Sequence, residues 1–204
     1  MNFDDKAQTW DSEDRALRAV AIAGEIEAAI TGETYHKALE FGCGTGLVGF
    51  NLQHLLRELI LVDNSTEMIR LLKNKIQSSA IRNMTAYTLD VMKGDPLPGR
   101  YDFVYTSMAL HHILDTRKLF RILSDHMEED GLLCIVDLTE EDGSFHKTES
   151  DFTGHNGFDP AVLKTLLEKT GFYDIHFKTF YEGIKKSEEG DIPYSLFLIT
   201  AKKK

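Results

Sequence analysis

Residues 38–49 read ALEFGCGTGLVG, an apolar strand that runs directly into a glycine-rich turn and then into a helix. Gly44, Gly46 and Gly49 have the GxGxxG spacing, and Asp63 ends the next apolar run roughly 20 residues further on. Glycines suit such a loop because a Cβ would obstruct a ligand that approaches the backbone. A carboxylate at the second strand end accepts hydrogen bonds from both hydroxyls of a ribose. The pattern predicts a nucleotide-binding loop, the alternative being a tight turn beside a surface aspartate.

Apolar runs and helical periodicities alternate along most of the chain. Continuous apolar strands separated by helices indicate a mostly parallel sheet covered on both faces, the doubly wound α/β architecture. A first helix begins at a capping pattern, Asp11-Ser12, and ends near Gly32, with apolar positions at Leu17, Val20, Ile26 and Ile30. The predicted strands are 37–41, 59–62, 85–89, 101–105 and 132–136, and the predicted helices are 47–55, 67–77, 118–127 and 160–169.

The C-terminal part departs from this alternation. Two strand-like runs, 175–181 and 194–201, are separated by a polar turn over 185–191. That gap is too short for a crossover helix, so the last two strands should form an antiparallel hairpin at one edge. The expected fold is therefore a seven-stranded, mostly parallel sheet with a C-terminal antiparallel hairpin.

Composition and charge exclude several classes of partner. The 204 residues are 42% apolar, and 23 Lys plus Arg against 33 Asp plus Glu give a net charge of −10. This balance disfavours nucleic acids and anionic membranes. No secretory signal pattern and no apolar run approaching ~20 residues is present, so we expect a cytoplasmic protein without a membrane partner. Cys43 and Cys134 form no CxxC pair, so we expect no disulfide and no metal site.

Glu40 stands at the entrance of the glycine loop, and its charge separates two classes of nucleotide. A pyrophosphate favours the amides of a helix N-terminus and is repelled by a nearby carboxylate. A carboxylate there suits a ligand that carries an ammonium or a sulfonium, which points to S-adenosylmethionine. An NAD(P)-dependent oxidoreductase is the alternative, since GxGxxG and Asp63 also fit it, and a non-catalytic cofactor-binding module is a third hypothesis.

The stretch 40–46, EFGCGTG, resembles the acid-x-Gly-x-Gly-x-Gly signature of class I, Rossmann-like S-adenosylmethionine-dependent methyltransferases of the small-molecule type. Residues 62–69, VDNSTEMI, are similar to that family's acid after the second strand with a following methionine. Leu89-Asp90-Val91 matches its third-strand acid, and residues 101–104 and 109–113, YDFV and ALHHI, match its fourth-strand region. The resemblance covers nearly the whole chain and implies the family's sheet with its closing hairpin.

The resemblance also implies roles for individual residues. The glycine loop would hold the methionine part of the cofactor, and Asp63 would hold the ribose hydroxyls. Asn64 and Met68 would border the adenine, although the spacing of Met68 also suits a core residue. Asp90 would accept from the adenine amino group, with Val91 donating through its backbone. The cofactor-binding candidates are Glu40, Gly42, Cys43, Gly44, Gly46, Asp63, Asn64, Met68, Asp90 and Val91.

Candidate catalytic residues follow the fourth and fifth strands, because ligands of open α/β sheets gather beyond the carboxyl ends of the strands. His111 and His112 follow strand four, and Asp137 ends strand five. Histidine titrates near neutrality and suits removal of a proton from a methyl acceptor. His155, in a polar and aromatic loop before the last helix, is a further base candidate, whereas Asp159 is interpreted as the cap of that helix. Alternatively, one histidine of the pair points into the fold or binds the backbone.

We therefore predict one methyltransferase domain over residues 1–204. It comprises an N-terminal lid and helix (1–32), a cofactor-binding core (37–140) and an acceptor-side loop, helix and hairpin (141–204). Phe3 and Trp10 precede the first helix and either cover the site or anchor that helix. The expected reaction is in-line transfer of a methyl group to a small molecule at oxygen, nitrogen or carbon, leaving S-adenosylhomocysteine. We expect a monomer or weak homodimer.

Overall fold

The computed structural model describes residues 3–149, 151–187 and 190–204. Met1 and Asn2 of the predicted N-terminal segment lie outside these residues. The strands are β1 (Lys37–Phe41), β2 (Glu58–Asp63), β3 (Met84–Thr88), β4 (Tyr101–Ser107), β5 (Met127–Leu138), β6 (Phe172–Ser187) and β7 (Gly190–Lys203). The α-helices are α1 (Phe3–Lys6), α2 (Glu13–Ile30), α3 (Leu47–Leu52), α4 (Thr66–Ser78), α5 (Thr116–Asp125) and α6 (Pro160–Glu168). Short 3-10 helices span Ala7–Thr9, Gln53–Leu55, Leu110–His112 and Ser144–His146.

The seven strands form one sheet in the order β3-β2-β1-β4-β5-β7-β6. Neighbouring strands from β3 to β5 pair in parallel, whereas β7 pairs antiparallel with both β5 and β6. The doubly wound sheet with a C-terminal antiparallel hairpin is thereby confirmed. Because β1, β2, β3, β4 and β5 run the same way, their carboxyl ends meet at one edge, where a ligand is expected.

Both faces of the sheet are buried, because alternate residues of each strand point to opposite sides. In β2, Leu59 and Leu61 belong to the hydrophobic core that also contains residues of α2, α3 and α4, whereas Ile60 and Val62 belong to the core on the other face, which contains residues of α5 and α6. This arrangement explains why β2 is continuously apolar rather than alternating. Helix α5 presents Leu119 and Leu123 to the second core.

The buried face of α2 differs from the one that the sequence indicates. Leu17 and Val20 are 63% and 56% exposed. The apolar face is built partly from alanines, whose small side chains contribute little to a hydrophobic pattern but allow a close approach to neighbouring elements. The buried residues of this helix are Ala19, Ile22, Ala23, Ile26 and Ile30.

The C-terminal hairpin is longer than predicted. Strands β6 and β7 extend into the charged segment that was predicted to be a turn, with Lys186 paired to Asp191 and Ser187 paired to Gly190. Lys186 and Asp191 also form an ion pair at 2.6 Å. Charged side chains are compatible with an exposed edge strand, where they discourage pairing with other chains. Residues 188 and 189, at the predicted turn, lie outside the described residues.

Within residues 3–149, 151–187 and 190–204, no helix has the length and apolar character needed to cross a bilayer.

Gly46 and Gly24 provide a matched pair of stability tests. Gly46 caps α3 at φ +81°, and a Cβ there would lie 2.6 Å from Leu72 Cδ1, whereas Gly24 is exposed in α2 with nothing within 4 Å. Gly46→Ala should lower the free energy of unfolding by about 1–2 kcal/mol, because the left-handed region disfavours a Cβ. Gly24→Ala should raise it by up to about 1 kcal/mol. Urea unfolding measures both, and wild-type stability in Gly46→Ala would contradict the strain argument.

Candidate active site

A cavity of about 420 Å³ opens at the carboxyl edge of the parallel strands. This volume lies within the roughly 300–1,000 Å³ typical of small-ligand sites. The glycine loop after β1, the ends of β2 and β4, and the segment after β3 form its walls. Residues from the N-terminal segment and from 152–154 complete the lining. The cavity is therefore assembled from parts of the chain that are distant in sequence.

Asp63 connects the glycine loop to the start of α4. Its Oδ2 accepts a hydrogen bond from the Gly44 backbone N–H at 2.8 Å, and its Oδ1 accepts one from the Ser65 N–H at 2.9 Å. Burial raises the pKa of Asp63, although these N–H donors act in the opposite direction. The carboxylate lines the cavity and retains further acceptor capacity toward a ligand.

The glycine loop packs closely against the end of β2 and against the segment that follows β4. Gly42 donates its N–H to the Val62 carbonyl at 2.8 Å and has a φ of +70°. A Cβ on Gly42 would lie 2.4 Å from the Cβ of Ala109, which follows β4. The absence of a side chain at Gly42 thus allows the ends of β1 and β4 to line one cavity.

Glu40 lies at the base of the cavity and is only 2% exposed. Burial raises the pKa of Glu40 to about 8, despite the hydrogen bond of 3.1 Å that the Tyr105 hydroxyl donates to Oε2. The carboxyl is consequently largely protonated at neutral pH. A cation bound in the cavity would favour its ionised form.

The segment after β3 forms the opposite side of the cavity. Asp90 and Val91 both line it, as do Asn64 and Met68 from the region after β2. The Asp90 carboxylate pairs with Lys93 Nζ at 2.9 Å and accepts from the Lys93 N–H at 3.1 Å. Nine of the ten cofactor-binding candidates thus lie together, namely Glu40, Gly42, Cys43, Gly44, Asp63, Asn64, Met68, Asp90 and Val91. The tenth, Gly46, caps α3 and is not part of the lining.

His111 and Asp137 form a buried pair behind the cavity wall. His111 Nδ1 donates to Asp137 Oδ1 at 2.5 Å, and the His111 backbone N–H donates to Oδ2 at 3.2 Å. Leu138 N–H adds a third hydrogen bond at 2.7 Å. Burial alone would raise the pKa of Asp137, but His111 and the backbone donors outweigh it and lower the pKa. Both residues are absent from the cavity lining, so Asp137 orients His111 rather than facing an acceptor.

His112 is the member of the predicted pair that lines the cavity. Its ring lies 4.9 Å from the Phe3 ring, in an edge-on arrangement. Burial and the neighbouring His111 lower the pKa of His112 to about 3. The imidazole is therefore neutral at physiological pH and can accept a proton, but as a weak base.

His155 does not reach the cavity. Its Nε2 donates to the Ile113 carbonyl at 3.0 Å, and its backbone N–H donates to the His111 carbonyl at 2.7 Å. The ring thus fixes the loop before α6 against the segment after β4, and the prediction that it faces the acceptor does not fit this geometry. Asp159 accepts from Ala161 N–H at 2.7 Å and caps α6 as predicted.

Sequence reasoning missed several residues of the site. Phe152 lines the cavity and belongs to the polar and aromatic loop before α6 that the sequence indicates as an acceptor-side segment. Arg15 and Arg18 also line the cavity, and His146 lies beside it, stacked on Phe152 with ring centroids 3.8 Å apart; these three are not candidates from the sequence. No motif marks these residues, because they reach the site only through tertiary folding.

The N-terminal segment is held over the cavity by polar contacts. Asp4 accepts from the Ser65 hydroxyl at 2.5 Å and from the Glu67 N–H at 3.0 Å. Asp11 accepts from the hydroxyl of Thr45 in the glycine loop. Trp10 lies against the same loop, with its indole nitrogen 3.4 Å from the position of a Cβ on Gly44. Trp10 thus both anchors the segment and covers the cavity.

The fold and this cavity define a protein of the class I methyltransferase architecture. Residues 14–176 match the family described as a methyltransferase domain. Because the match covers most of the chain, the chain belongs to that methyltransferase family. The resemblance to S-adenosylmethionine-dependent methyltransferases is thereby confirmed, and the oxidoreductase alternative loses its support.

Two curated relatives illustrate the extent of sequence similarity. An uncharacterized methyltransferase of Schizosaccharomyces pombe is 28% identical over 144 residues, which cover 64% of this chain and 51% of that protein. Trans-aconitate 2-methyltransferase of Deinococcus radiodurans is 25% identical over 175 residues, which cover 76% of this chain and 65% of that protein. The chain thus spans about half the length of the first of these relatives.

Solved structures share the fold at low sequence identity. The YcgJ protein of Bacillus subtilis superimposes with a TM-score of 0.70 at 16% identity, covering 89% of this chain and 97% of its own. A phosphoethanolamine N-methyltransferase of Haemonchus contortus was solved with S-adenosyl-L-methionine. It superimposes with a TM-score of 0.74 at 16% identity, and the match covers 100% of this chain and 60% of that protein.

The buried pair of His111 and Asp137 can be tested through stability. Asp137→Ala would leave His111 buried without its acceptor, so the free energy of unfolding should fall by about 3–5 kcal/mol at pH 7. Because the folded pKa of Asp137 is lowered, this difference is complete above its unfolded value of 3.8 and shrinks as the pH falls below it.

Urea unfolding at several pH values measures the difference between Asp137→Ala and the wild type. The control is Asp125→Ala, an exposed residue at the end of α5, which should change stability by less than about 0.5 kcal/mol. A loss for Asp137→Ala no larger than that of the control would show that the buried pair is unimportant for stability.

Proposed function

We propose that this chain binds S-adenosylmethionine in the cavity and transfers its methyl group to a small-molecule acceptor, leaving S-adenosylhomocysteine. The observation that carries the proposal is the pair of carboxyl groups beside the glycine loop, one in β1 and the other at the end of β2. Glu40 is buried at the base of the cavity, and Asp63 lines it beside Gly44. Such a site suits a ligand that joins an ammonium to a ribose.

The cofactor would lie with its methionine part along the glycine loop. Glu40 would balance the ammonium, and the free lone pairs of Asp63 would accept from the ribose hydroxyls. Asn64 and Met68 would border the adenine, Asp90 would accept from its amino group, and the Val91 N–H would donate to the ring. Because Asp90 already pairs with Lys93, its adenine contact would share the carboxylate with that lysine.

The acceptor would occupy the part of the cavity beneath the N-terminal segment. Arg15 lies with its guanidinium 4.3 Å from the Trp10 ring centroid, and Arg18 donates to the Tyr194 hydroxyl at 3.3 Å. Both arginines line the cavity and are partly buried, which favours an acceptor that carries a carboxylate or phosphate group. His112 faces the same space.

Two comparisons are consistent with such an acceptor. The D. radiodurans relative is named for trans-aconitate, which is an acid. A structural neighbour from H. contortus was solved with phosphomonomethylethanolamine and S-adenosylhomocysteine. The sulfonium of S-adenosylmethionine is already a reactive methyl donor. The protein would therefore need mainly to align the acceptor with the methyl group. The cytoplasmic location, the absence of nucleic-acid partners and the monomeric or weakly dimeric state remain predictions.

A methyl-transfer screen tests the reaction directly. Purified protein is incubated with S-adenosylmethionine labelled in the methyl group and with small carboxylic acids, phosphate esters, and uncharged amines and alcohols. We expect label to enter an anionic acceptor. Cofactor binding without transfer to any acceptor would favour the non-catalytic module, and failure to bind either the cofactor or S-adenosylhomocysteine would refute the proposal.

Asp63 is the residue to change for the ribose contact. Asp63→Asn keeps the shape of the side chain but replaces one acceptor by a donor, so affinity for S-adenosylhomocysteine should fall by at least about tenfold. Calorimetry measures this change, with the exposed Asp125→Asn as the control. Melting temperatures of both variants separate a lost ligand contact from a disturbed loop. Wild-type affinity in Asp63→Asn would exclude the ribose role.

Glu40 should release a proton when the cofactor binds. Its pKa of about 8 leaves the carboxyl largely protonated at pH 7, whereas pairing with an ammonium requires the carboxylate. The apparent affinity should therefore rise from pH 6 to pH 7.5. At pH 7 the binding enthalpy should depend on the ionisation enthalpy of the buffer.

Calorimetry in phosphate and in Tris measures that proton release, with Glu40→Gln as the comparison. The variant should bind more weakly and lose the dependence on buffer. Equal enthalpies in both buffers for the wild type would mean that Glu40 does not ionise on binding.

A further inference from the structure

Three histidines converge beside the cavity, from two segments that are distant in sequence. His111 and His112 follow β4, and His146 ends the short helix Ser144–His146 after β5. Their ring centroids are 4.1 Å apart for His111 and His112, 5.0 Å for His111 and His146, and 5.5 Å for His112 and His146. One ring nitrogen of each lies within 4.8 Å of one ring nitrogen of both others.

His146 is buried, and its ring nitrogens lack hydrogen-bond partners among the described residues. It is 6% exposed, and neither ring nitrogen makes a hydrogen bond to any of the described residues. Nδ1 lies 3.4 Å from Glu149 Oε2, within ion-pair distance but without the geometry of a hydrogen bond. Leaving a buried polar group unpaired costs about 1–3 kcal/mol, so such a ring in a folded core implies a partner that completes it.

The environment of His111 fixes which of its nitrogens can bind a ligand. Nδ1 donates to the Asp137 carboxylate, so Nε2 is the atom left for another partner. A histidine that binds a metal through one nitrogen commonly donates its other N–H to a carboxylate, which orients the ring and raises its basicity. The buried pair of His111 and Asp137 has this arrangement.

We propose that His111, His112 and His146 together bind one divalent transition-metal ion, such as Zn²⁺, through imidazole nitrogens. Three histidines with an open fourth position form a common zinc donor set, whereas Mg²⁺ and Ca²⁺ prefer oxygen ligands. The proposal concerns metal binding and does not rest on methyl transfer. It replaces the expectation of no metal site, which depended on the spacing of the cysteines.

The geometry requires only a small adjustment on binding. Two nitrogens bound tetrahedrally to zinc at about 2.0–2.1 Å lie about 3.3 Å apart, so the rings must move inward from separations of up to 4.8 Å. His146 is stacked on Phe152 at an interplanar angle of 10°, a contact that permits sliding within the ring plane. The movement needed is therefore within the reach of side-chain rotation.

The charges around the cluster are compatible with a cation. Glu149 lies beside His146 and pairs with Lys6 Nζ at 3.2 Å and Lys185 Nζ at 3.3 Å. This carboxylate contacts both lysines and His146 and therefore offsets part of the positive charge of the lysines. The Asp137 carboxylate supplies a second negative charge behind His111. Because His112 lines the cavity, the open coordination position of the ion would face it.

Direct titration of metal-free protein tests the site. The full chain is treated with EDTA, desalted and titrated separately with Zn²⁺, Co²⁺ and Mg²⁺ by calorimetry, with Co²⁺ also followed by visible absorption. We expect one equivalent of Zn²⁺ or Co²⁺ with tetrahedral Co²⁺ bands, and no uptake of Mg²⁺. His146→Ala and His112→Ala should each weaken Zn²⁺ binding by at least about tenfold, and Asp137→Asn by about tenfold.

The control is His176→Ala, an exposed histidine on β6, which should bind metal as the wild type does. Binding of S-adenosylhomocysteine to each variant, measured on the same samples, reports folding and tests the proposed function separately. Two results would overturn the metal proposal: no uptake of Zn²⁺ or Co²⁺ by the wild type, or equal uptake by the wild type, His146→Ala and His112→Ala. Loss of the Co²⁺ bands in His176→Ala would likewise assign the ion to a surface site.

Discussion

One carboxylate, that of Asp63, joins the parts of the chain on which the cavity depends. It accepts from Gly44 in the loop after β1 and from Ser65 at the start of α4, so a single side chain connects the glycine loop to the start of that helix. The same carboxylate faces the cavity, and burial raises its pKa. The bridge is thus structural in the free protein and available to a ligand, which explains why an acid at this position is informative in the sequence.

The sequence predicts the sheet and the cofactor side of the cavity because both depend on local patterns. A buried strand must be apolar, and a loop that meets a ligand with its backbone needs glycine. The stretch 38–49 and Asp63 can therefore be recognised as a ligand-binding loop and its acid from the sequence alone. The acceptor side is different. His146 reaches the site through the path of a loop after β5, and nothing in its spacing reveals a partner. The exposed Leu17 was misinterpreted for a related reason, since hydropathy alone does not show that α2 buries its alanines.

The cavity concentrates groups that burial makes unfavourable. Glu40 has its pKa raised to about 8, His112 has its pKa lowered to about 3, and the ring nitrogens of His146 make no hydrogen bond to the described residues. At neutral pH the protonation of Glu40 and the lack of hydrogen bonds at His146 cost stability in the free protein, and a bound group of the right charge would remove both costs. A cation beside Glu40 and an electron-pair acceptor beside His146 would both stabilise the folded state. Polar groups left unsatisfied in this way are more informative about ligands than exposed ones, because the rest of the fold must compensate for them.

The arrangement of the two sides also bears on how acceptors are distinguished. Segments before α2 and after β5 meet over the cavity through the ion pair of Lys6 with Glu149, which in turn lies beside His146. The N-terminal segment is tied to the cofactor loop as well, through Asp4 and Asp11. The N-terminal segment that covers the cavity is therefore connected to the histidine cluster by contiguous contacts. Because both covering segments are loops or short helices outside the sheet, they can change in sequence without disturbing the glycine loop, and acceptor specificity can vary while the cofactor site is kept.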